Sequence, residues 1–187
     1  MAASSQPTPG ARAALRARLS SGPVGRRIAR MDLRLYHAIR RDLHVPELVE
    51  PVRRFSHTGE HAAVWLAIGI AGVVLDRRRS GQWTRATAAV GGAYLANTAI
   101  KAAIGRSRPA IEGLPALMQT PTGLSFPSAH ACSSFAAARA YSPLLPAGPL
   151  YAGATAMAVS RVYLGVHYPS DIAAGAVLGT AVGSAGR

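Results

Sequence analysis

Three polar clusters interrupt an otherwise apolar second half of the chain. The first is Lys101 and Arg108, followed by Pro109. The second is Pro127-Ser128-Ala129-His130. The third is Ser160-Arg161, then His167, then Asp171. Charged groups at the ends of apolar helices are costly and usually functional. Lys101 and Arg108 lie seven residues apart, two helical turns, so a helix continued to Pro109 would put both cations on one face. Convergent cations suit a phosphate, Arg as a planar fork and Lys as a point charge. Snorkelling of basic side chains at a helix end is the simpler account of this pair taken alone. In the second cluster, proline favours the first position of a helix, so a helix is expected to begin there. The opening N–H groups, at Ser128, Ala129 and His130, would face an anion with the helix dipole behind them. Ser128 adds a hydroxyl and His130 a group that titrates near neutrality. Taken alone, this is also a plain helix start with a hydrogen-bonded histidine. In the third cluster, Asp171 lies four residues beyond His167. Such a carboxylate can accept the Nδ1–H, fix the tautomer and leave the Nε2 lone pair free to attack. An acid at a helix N-terminus accounts for Asp171, but not for His167 or Arg161.

Together the clusters supply three cations, a nest of backbone N–H groups, a serine hydroxyl and two histidines, one with an orienting aspartate. That is an inventory for phosphoryl transfer through a covalent phosphohistidine. Such transfer depends on positioning and on stabilising charge over the equatorial oxygens. The three cations can do there what magnesium does elsewhere. Glu112 and Asp171 are the only carboxylates after Asp76. No acidic cluster exists to hold a metal, so no metal or other cofactor is expected.

The elements that must position these groups follow from the hydropathy pattern. The chain has 187 residues, 49% hydrophobic and 16% charged. Soluble domains usually carry about 25% charge, which makes a wholly soluble reading poor. The single cysteine, Cys132, excludes an intrachain disulfide and reads as a small buried residue. Uncharged stretches cover 62–75, 86–100, 140–160 and 172–186, and 129–138 carries only His130. Pro143, Pro146 and Pro149 mark a loop within the third of these. Helices are expected over roughly 60–75, 85–105, 128–141, 149–163 and 169–186. Several fall short of the roughly 20 residues that a bilayer requires, and buried helices of a soluble protein are the competing account. Their number, their brief linkers and the size of the domain favour a membrane. Ahead of them, Ile28, Met31, Leu35, Ile39 and Leu43 recur at helical spacing among arginines, the pattern of a basic amphipathic helix on a membrane surface. Residues 1–27 read as a disordered basic arm.

The expected fold is therefore all-α: an integral-membrane bundle of about five transmembrane helices with an N-terminal amphipathic helix. Its parts are an arm (1–27), an interfacial segment (28–55) and a catalytic membrane domain (56–187), in a multi-pass cell-membrane protein. Arg77, Arg78, Arg79 and Arg85 place the 76–85 connection in the cytoplasm. Alternation then places all three polar clusters on the opposite side.

In order and spacing, Lys101-x6-Arg108-Pro109, Pro127-Ser128-Ala129-His130 and Ser160-Arg161-x5-His167-x3-Asp171 resemble the three signature motifs of the type 2 phosphatidic acid phosphatase superfamily. The resemblance covers about 60–186. It implies that His167 is the nucleophile on phosphorus, oriented by Asp171, and that His130 is general acid and then base. It further implies that Lys101, Arg108, Ser128, Arg161 and the N–H of Ala129 hold the phosphate oxygens without a metal. The implied substrate is a lipid-linked phosphomonoester, and the partners are that lipid and the membrane. The arginine- and alanine-rich composition is similar to actinobacterial members, a group of which acts on decaprenylphosphoryl-5-phosphoribose in cell-wall arabinan synthesis. Phosphatidic acid, phosphatidylglycerophosphate and polyprenyl pyrophosphate are the alternative substrates. Two departures from the family pattern stand out: Ala129 replaces a usual glycine, and about five spans replace six. The loop 110–126, with Leu114, Leu117 and Met118, is a candidate for recognising the rest of the substrate, or a mere connector. The net charge of +13 raises a nucleic-acid-binding protein as a different class. Much of that charge sits in the basic N-terminal region and no reader motif appears, so nucleic acid is not an expected partner. A non-catalytic membrane scaffold is opposed by the complete motif set.

Overall fold

The computed structural model describes residues 22–187; the expected arm lies outside the described residues up to residue 21. The first helix, α1 (Pro23–His37), opens on a proline and runs into a π-turn at Ala38–Asp42. The chain then breaks ahead of Pro46, because a residue before proline is driven out of the helical region. Helix α2 (Pro46–Thr58) follows. The single interfacial segment expected over 28–55 is thus two helices. Its orientation also differs from that of a helix packed through its apolar stripe. Ile28, Met31 and Leu35 are 45%, 51% and 48% exposed, whereas Asp32, Tyr36 and Arg40 are buried. Asp32 and Tyr36 of α1 and Arg40 of the π-turn recur every four residues, so they continue one face of the segment. They are buried because each has a polar partner on the loops beneath: the Tyr36 hydroxyl donates to the Gly165 carbonyl, and Arg40 donates to the carbonyls of Pro115 and Tyr163.

Five further helices make the bundle: α3 (Ala63–Leu75), α4 (Ser80–Ile104), α5 (Ala129–Tyr141), α6 (Ala147–Tyr163) and α7 (Pro169–Ser184). All five expected helices are present, with shifted ends. The largest shift is at α4, which begins at Ser80 rather than near 85. Asp76 closes the preceding turn by accepting from Arg79 Nε at 2.6 Å and Trp83 Nε1 at 3.2 Å. At its other end α4 stops at Gly105, whose φ of 65° is a left-handed helix cap open to glycine at little cost. A helix continued from Lys101 to Pro109 therefore does not exist, and Arg108 lies in a loop.

Helix α5 is the centre of the bundle, with ten buried residues from His130 to Tyr141. Alanine, serine and cysteine make up most of its surface, so α4, α6 and α7 all approach it closely. Trp65 Nε1 donates to Ser134 Oγ, and the Tyr141 hydroxyl donates to the Trp65 carbonyl, which locks α3 to the same helix. Cys132 is buried there, as its apolar setting implied. Among the described residues there are isolated bridges but no strand, and no single helix is long and apolar enough to cross a membrane. One pair, α2 with the segment from Glu60 to Leu75, meets that test jointly across a 51° bend.

Candidate active site

Four helix ends converge at one end of the bundle. Lys101 stands in the last turn of α4, His130 in the first turn of α5, Arg161 in the last turn of α6 and Asp171 in the first turn of α7. Arg108 and His167 come from the loops between them. Lys101, Arg108, Ala129, His130, Arg161 and His167 line one cavity of about 140 Å³. The turn from Gly59 to Ala62 forms another wall. His61 and Ala62 there have φ of 52° and 60°, left-handed conformations that cost non-glycine residues about 1–3 kcal/mol each.

The hydrogen bonds assign the tautomer of each histidine. Arg108 has only donors to offer, and its Nη1 lies 3.1 Å from His167 Nε2. Nε2 is therefore the acceptor and carries the lone pair. The other nitrogen, Nδ1, faces Asp171 Oδ2 at 3.3 Å. This is the arrangement needed for attack through Nε2. Burial first, then the positive charges of Arg108, Arg161 and Lys101, hold the His167 pKa well below the ordinary imidazole value, so the ring is neutral and nucleophilic at neutral pH. His130 Nε2 lies 3.1 Å from the Ser56 carbonyl. A carbonyl can only accept, so Nε2 bears the proton and Nδ1 is the basic nitrogen.

The three cations have only neutral hydrogen-bond partners among the described residues. Lys101 Nζ reaches the carbonyls of Leu124 and Ser125, both at 3.2 Å. Arg108 donates to the carbonyls of Thr122 and Val166; burial lowers its pKa to about 10, and it stays charged at neutral pH. Arg161 is 1% exposed and donates to Ser56 Oγ at 2.6 Å and Met118 Sδ at 3.0 Å, while its Nε is buried without any partner. None of the three forms a salt bridge among the described residues; the adjacent carboxylate, Asp171, is taken by Arg106. Glu60 also lines the cavity and interacts with the Arg161 charge, while its carboxylate lies against His57. Three cations against one carboxylate leave the walls net positive, a balance that suits an anionic ligand.

Of the residues expected at the phosphate, Ser128 alone does not line the cavity. Ser128 is fully buried and is the N-cap of α5: its Oγ accepts from the Ala131 N–H at 3.4 Å, and its own N–H donates to the Asp171 carbonyl. Pro127 therefore precedes the cap instead of occupying the first helical position. Ser128 braces α5 against α7 and does not line the cavity. Ala129 does line it and opens the helix without positive φ, so its methyl group brings no backbone strain. The loop candidates also change. Met118 packs with Leu164 and Val166 in a small second core, with Leu117 partly buried against it, while Pro121, Thr122 and Phe126 of the same loop line the cavity and an adjoining groove. Ser56, Asp32 and Arg106, by contrast, were not anticipated. Arg106 sits between Lys101 and Arg108 in sequence, where two stronger cations masked it.

A helical bundle that gathers a neutral histidine, a second histidine and three cations around one cavity defines a phosphate-handling class of enzyme. The sequence profile of the PAP2 superfamily matches residues 82–186. A decaprenylphosphoryl-5-phosphoribose phosphatase of Mycobacterium tuberculosis is 40% identical over 143 residues, 74% of this chain and 78% of that one. Among solved structures, LpxE of Aquifex aeolicus superimposes with a TM-score of 0.72 at 24% identity, covering 82% of this chain and 93% of its own. A transmembrane PAP2-type phosphatidylglycerolphosphate phosphatase from Bacillus subtilis gives 0.66 at 24% identity, covering 90% and 87%. The chain belongs to the PAP2 superfamily.

Proposed function

We propose that this protein is a membrane phosphatase that removes the phosphate from a lipid-linked phosphomonoester through a phosphohistidine. It is a phosphoric monoester hydrolase. The observation that carries the reading is the set of three cations around His167, Lys101 and Arg161 buried and Arg108 half-buried, none in a salt bridge among the described residues. In the first step the His167 Nε2 lone pair attacks phosphorus and the phosphorus–oxygen bond to the substrate breaks. His130 enters this step as an imidazolium with Nε2–H on the Ser56 carbonyl and gives its Nδ1 proton to the departing alkoxide. In the second step water attacks the phosphorus, His130 takes its proton, the phosphorus–nitrogen bond breaks and phosphate leaves. Arg108 must release Nε2 as the phosphate enters, and its guanidinium then holds a phosphate oxygen beside Lys101, Arg161 and the Ala129 N–H. Asp171 keeps the proton on Nδ1. The cations take the place of a metal in this reaction. Ser128 caps α5 through its oxygen, and its hydroxyl proton is left to donate to a phosphate oxygen.

A groove of about 710 Å³ adjoins the cavity and shares Arg108 with it. Its other walls include Ile28, Ile104, Phe126 and Ala174. A substrate that sets its phosphate against one face of Arg108 can lay its apolar chain along the other. The outer surface of the bundle supports a lipid setting: Leu75, Leu95 and Val177 are 82%, 67% and 72% exposed. About five spans in a multi-pass cell-membrane protein, with 28–55 at the interface, 56–187 as the catalytic domain and 1–27 as a basic arm, fit these features. The specific substrate we favour is decaprenylphosphoryl-5-phosphoribose, on which the similar mycobacterial proteins are named as acting.

The test is phosphate release by the purified protein, with EDTA present, from phosphatidic acid, phosphatidylglycerophosphate, polyprenyl pyrophosphate and decaprenylphosphoryl-5-phosphoribose. Fastest release from the last, undiminished by EDTA, is expected; loss of all release in EDTA would overturn the metal-independent chemistry. Ala174→Trp should fill the groove and raise KM for the long-chain substrate while sparing a small soluble phosphate ester. An equal effect on both would place the chain elsewhere.

A further inference from the structure

The nucleophile is tied to a residue far outside the segment that carries the family motifs. Asp32 of α1 is 2% exposed. Its Oδ1 accepts from the Ser170 N–H at 2.8 Å, and its Oδ2 accepts from Ser170 Oγ at 2.6 Å and from Arg106 Nη2 at 2.8 Å. The other terminal nitrogen of the same guanidinium, Nη1, donates to Asp171 Oδ1 at 2.7 Å and to Ser170 Oγ at 2.7 Å. Asp171 Oδ2 then faces His167 Nδ1. One planar fork thus joins two carboxylates through different nitrogens. The fork cannot bend, so the two carboxylates fix each other's direction. The ring of Tyr168, next to the nucleophile in sequence, lies against the guanidinium at 4.3 Å and adds a further constraint.

From this geometry we infer that Asp32, acting through Arg106, is a positioning residue for the Asp171–His167 pair. The inference rests on the reading of His167 as the nucleophile. Without Asp32 the guanidinium loses one of its two anchors. Both of its terminal nitrogens can then turn onto Asp171, competing with His167 Nδ1 for Oδ2 and loosening the ring. Removing Arg106 frees Asp171 Oδ1 altogether and leaves two buried carboxylates without their shared cation. The same contacts explain why α1 buries its polar face. A helix that only rested on a bilayer would have no use for a buried stripe of Asp32, Tyr36 and Arg40, and here each of the three grips a loop or helix start around His167.

The experiment compares the full-length wild type with Asp32→Asn, Arg106→Gln, the double variant and His167→Ala on one lipid phosphate, and measures vanadate inhibition of each active form. Asn at 32 can still accept from the Ser170 N–H, so the helix contact survives while the charge is lost. The expected result is a fall in kcat of about tenfold to a hundredfold, the usual range for partners that orient a reactive side chain. KM should be unchanged, because the cations that bind phosphate are untouched, while vanadate inhibition should weaken in step with kcat, since vanadate takes up the five-coordinate geometry of the transition state at Nε2. The double variant should be no slower than Arg106→Gln alone, since both act through one link. Should Asp32→Asn fail to fold, Arg106→Lys serves: it keeps the charge but not the two-nitrogen fork, and the same loss of kcat is expected. Wild-type kcat in Asp32→Asn or Arg106→Lys, with His167→Ala inactive, would overturn this inference and leave the phosphohistidine standing. Activity in His167→Ala would remove the reading beneath it.

Discussion

Replacing His167 by alanine is expected to stop phosphate release while the protein still folds and binds lipid. Loss of a covalent nucleophile costs on the order of 10⁴- to 10⁶-fold. Folding should survive because Asp171 keeps other donors when the imidazole goes. Its Oδ1 still accepts from Arg106 and its Oδ2 from the Tyr168 N–H at 2.9 Å. No carboxylate is stranded, which is the usual reason that a buried substitution unfolds a protein. The sharper version of the experiment looks for the intermediate itself. Substrate labelled on phosphorus, quenched in alkali in the first turnover, should leave label on the wild-type protein and none on His167→Ala. His130→Ala should lose activity toward alkyl phosphates but retain labelling by an ester whose leaving group needs no proton, and the label should then persist. Turnover by His167→Ala, or label on it, would end the mechanism.

The site was more legible in the sequence than the fold around it, for a physical reason. Phosphoryl transfer needs charged and titratable residues, and in an apolar chain these stand out one by one. Lys101, Arg108, Ala129, His130, Arg161 and His167 all reach the cavity, though Lys101 and Arg108 do so without the shared helix face that their spacing suggested. A left-handed glycine ended the helix first, and the hydrogen bonds of the following loop then brought Arg108 back. Ser128 was legible as a polar helix start, but whether its hydroxyl faces a ligand or caps its own helix depends on a few degrees of side-chain rotation that spacing does not encode. The connecting loop was legible only in part, since Phe126 reaches the groove. Leu117 and Met118 read as apolar recognition residues, while their burial against Leu164 and Val166 depends on a contact about 45 positions away in sequence. Asp32 was hidden by its setting. It sits in a helix whose apolar repeat suggested burial of Ile28, Met31 and Leu35, and the structure exposes exactly those residues' side of α1 while burying the acid. Hydrophobic periodicity identifies the faces of a helix. It does not say which face is inside when the surroundings are themselves apolar.

The largest effect on stability is expected from a residue with no side chain. Gly175, Gly179 and Gly183 recur every four positions on α7 and face the backbone of α5. A Cβ at Gly179 would lie 2.0 Å from the Cys132 carbonyl oxygen, and those at Gly175 and Gly183 would lie 2.5 Å from the carbonyl oxygens of Ser128 and Ala136. These are backbone atoms of the central helix, so no rotamer change relieves the clash. Small residues at four-residue spacing let helix backbones touch where burial of side chains gives little gain. Gly179→Ala should therefore destabilise by about 3 kcal/mol, the upper end of ordinary overpacking, and lower the melting temperature in detergent. The control is Gly91→Ala on α4, where an added Cβ meets nothing within 4 Å; alanine there should be neutral or stabilise by up to about 1 kcal/mol, its advantage over glycine in a helix. The two effects have opposite signs for the same chemical change, so an equal shift in both would refute the close α5–α7 contact. Activity should fall as well. His130 rides on α5, and Asp171 on α7 holds His167, so any gap forced at Gly179 separates the proposed general acid from the proposed nucleophile. A misplacement of about 1 Å can cost about a hundredfold in rate. In the proposed mechanism the glycine stripe thus sets the distance between His130 and His167, and the loss of rate in Gly179→Ala should persist at temperatures where the variant is fully folded.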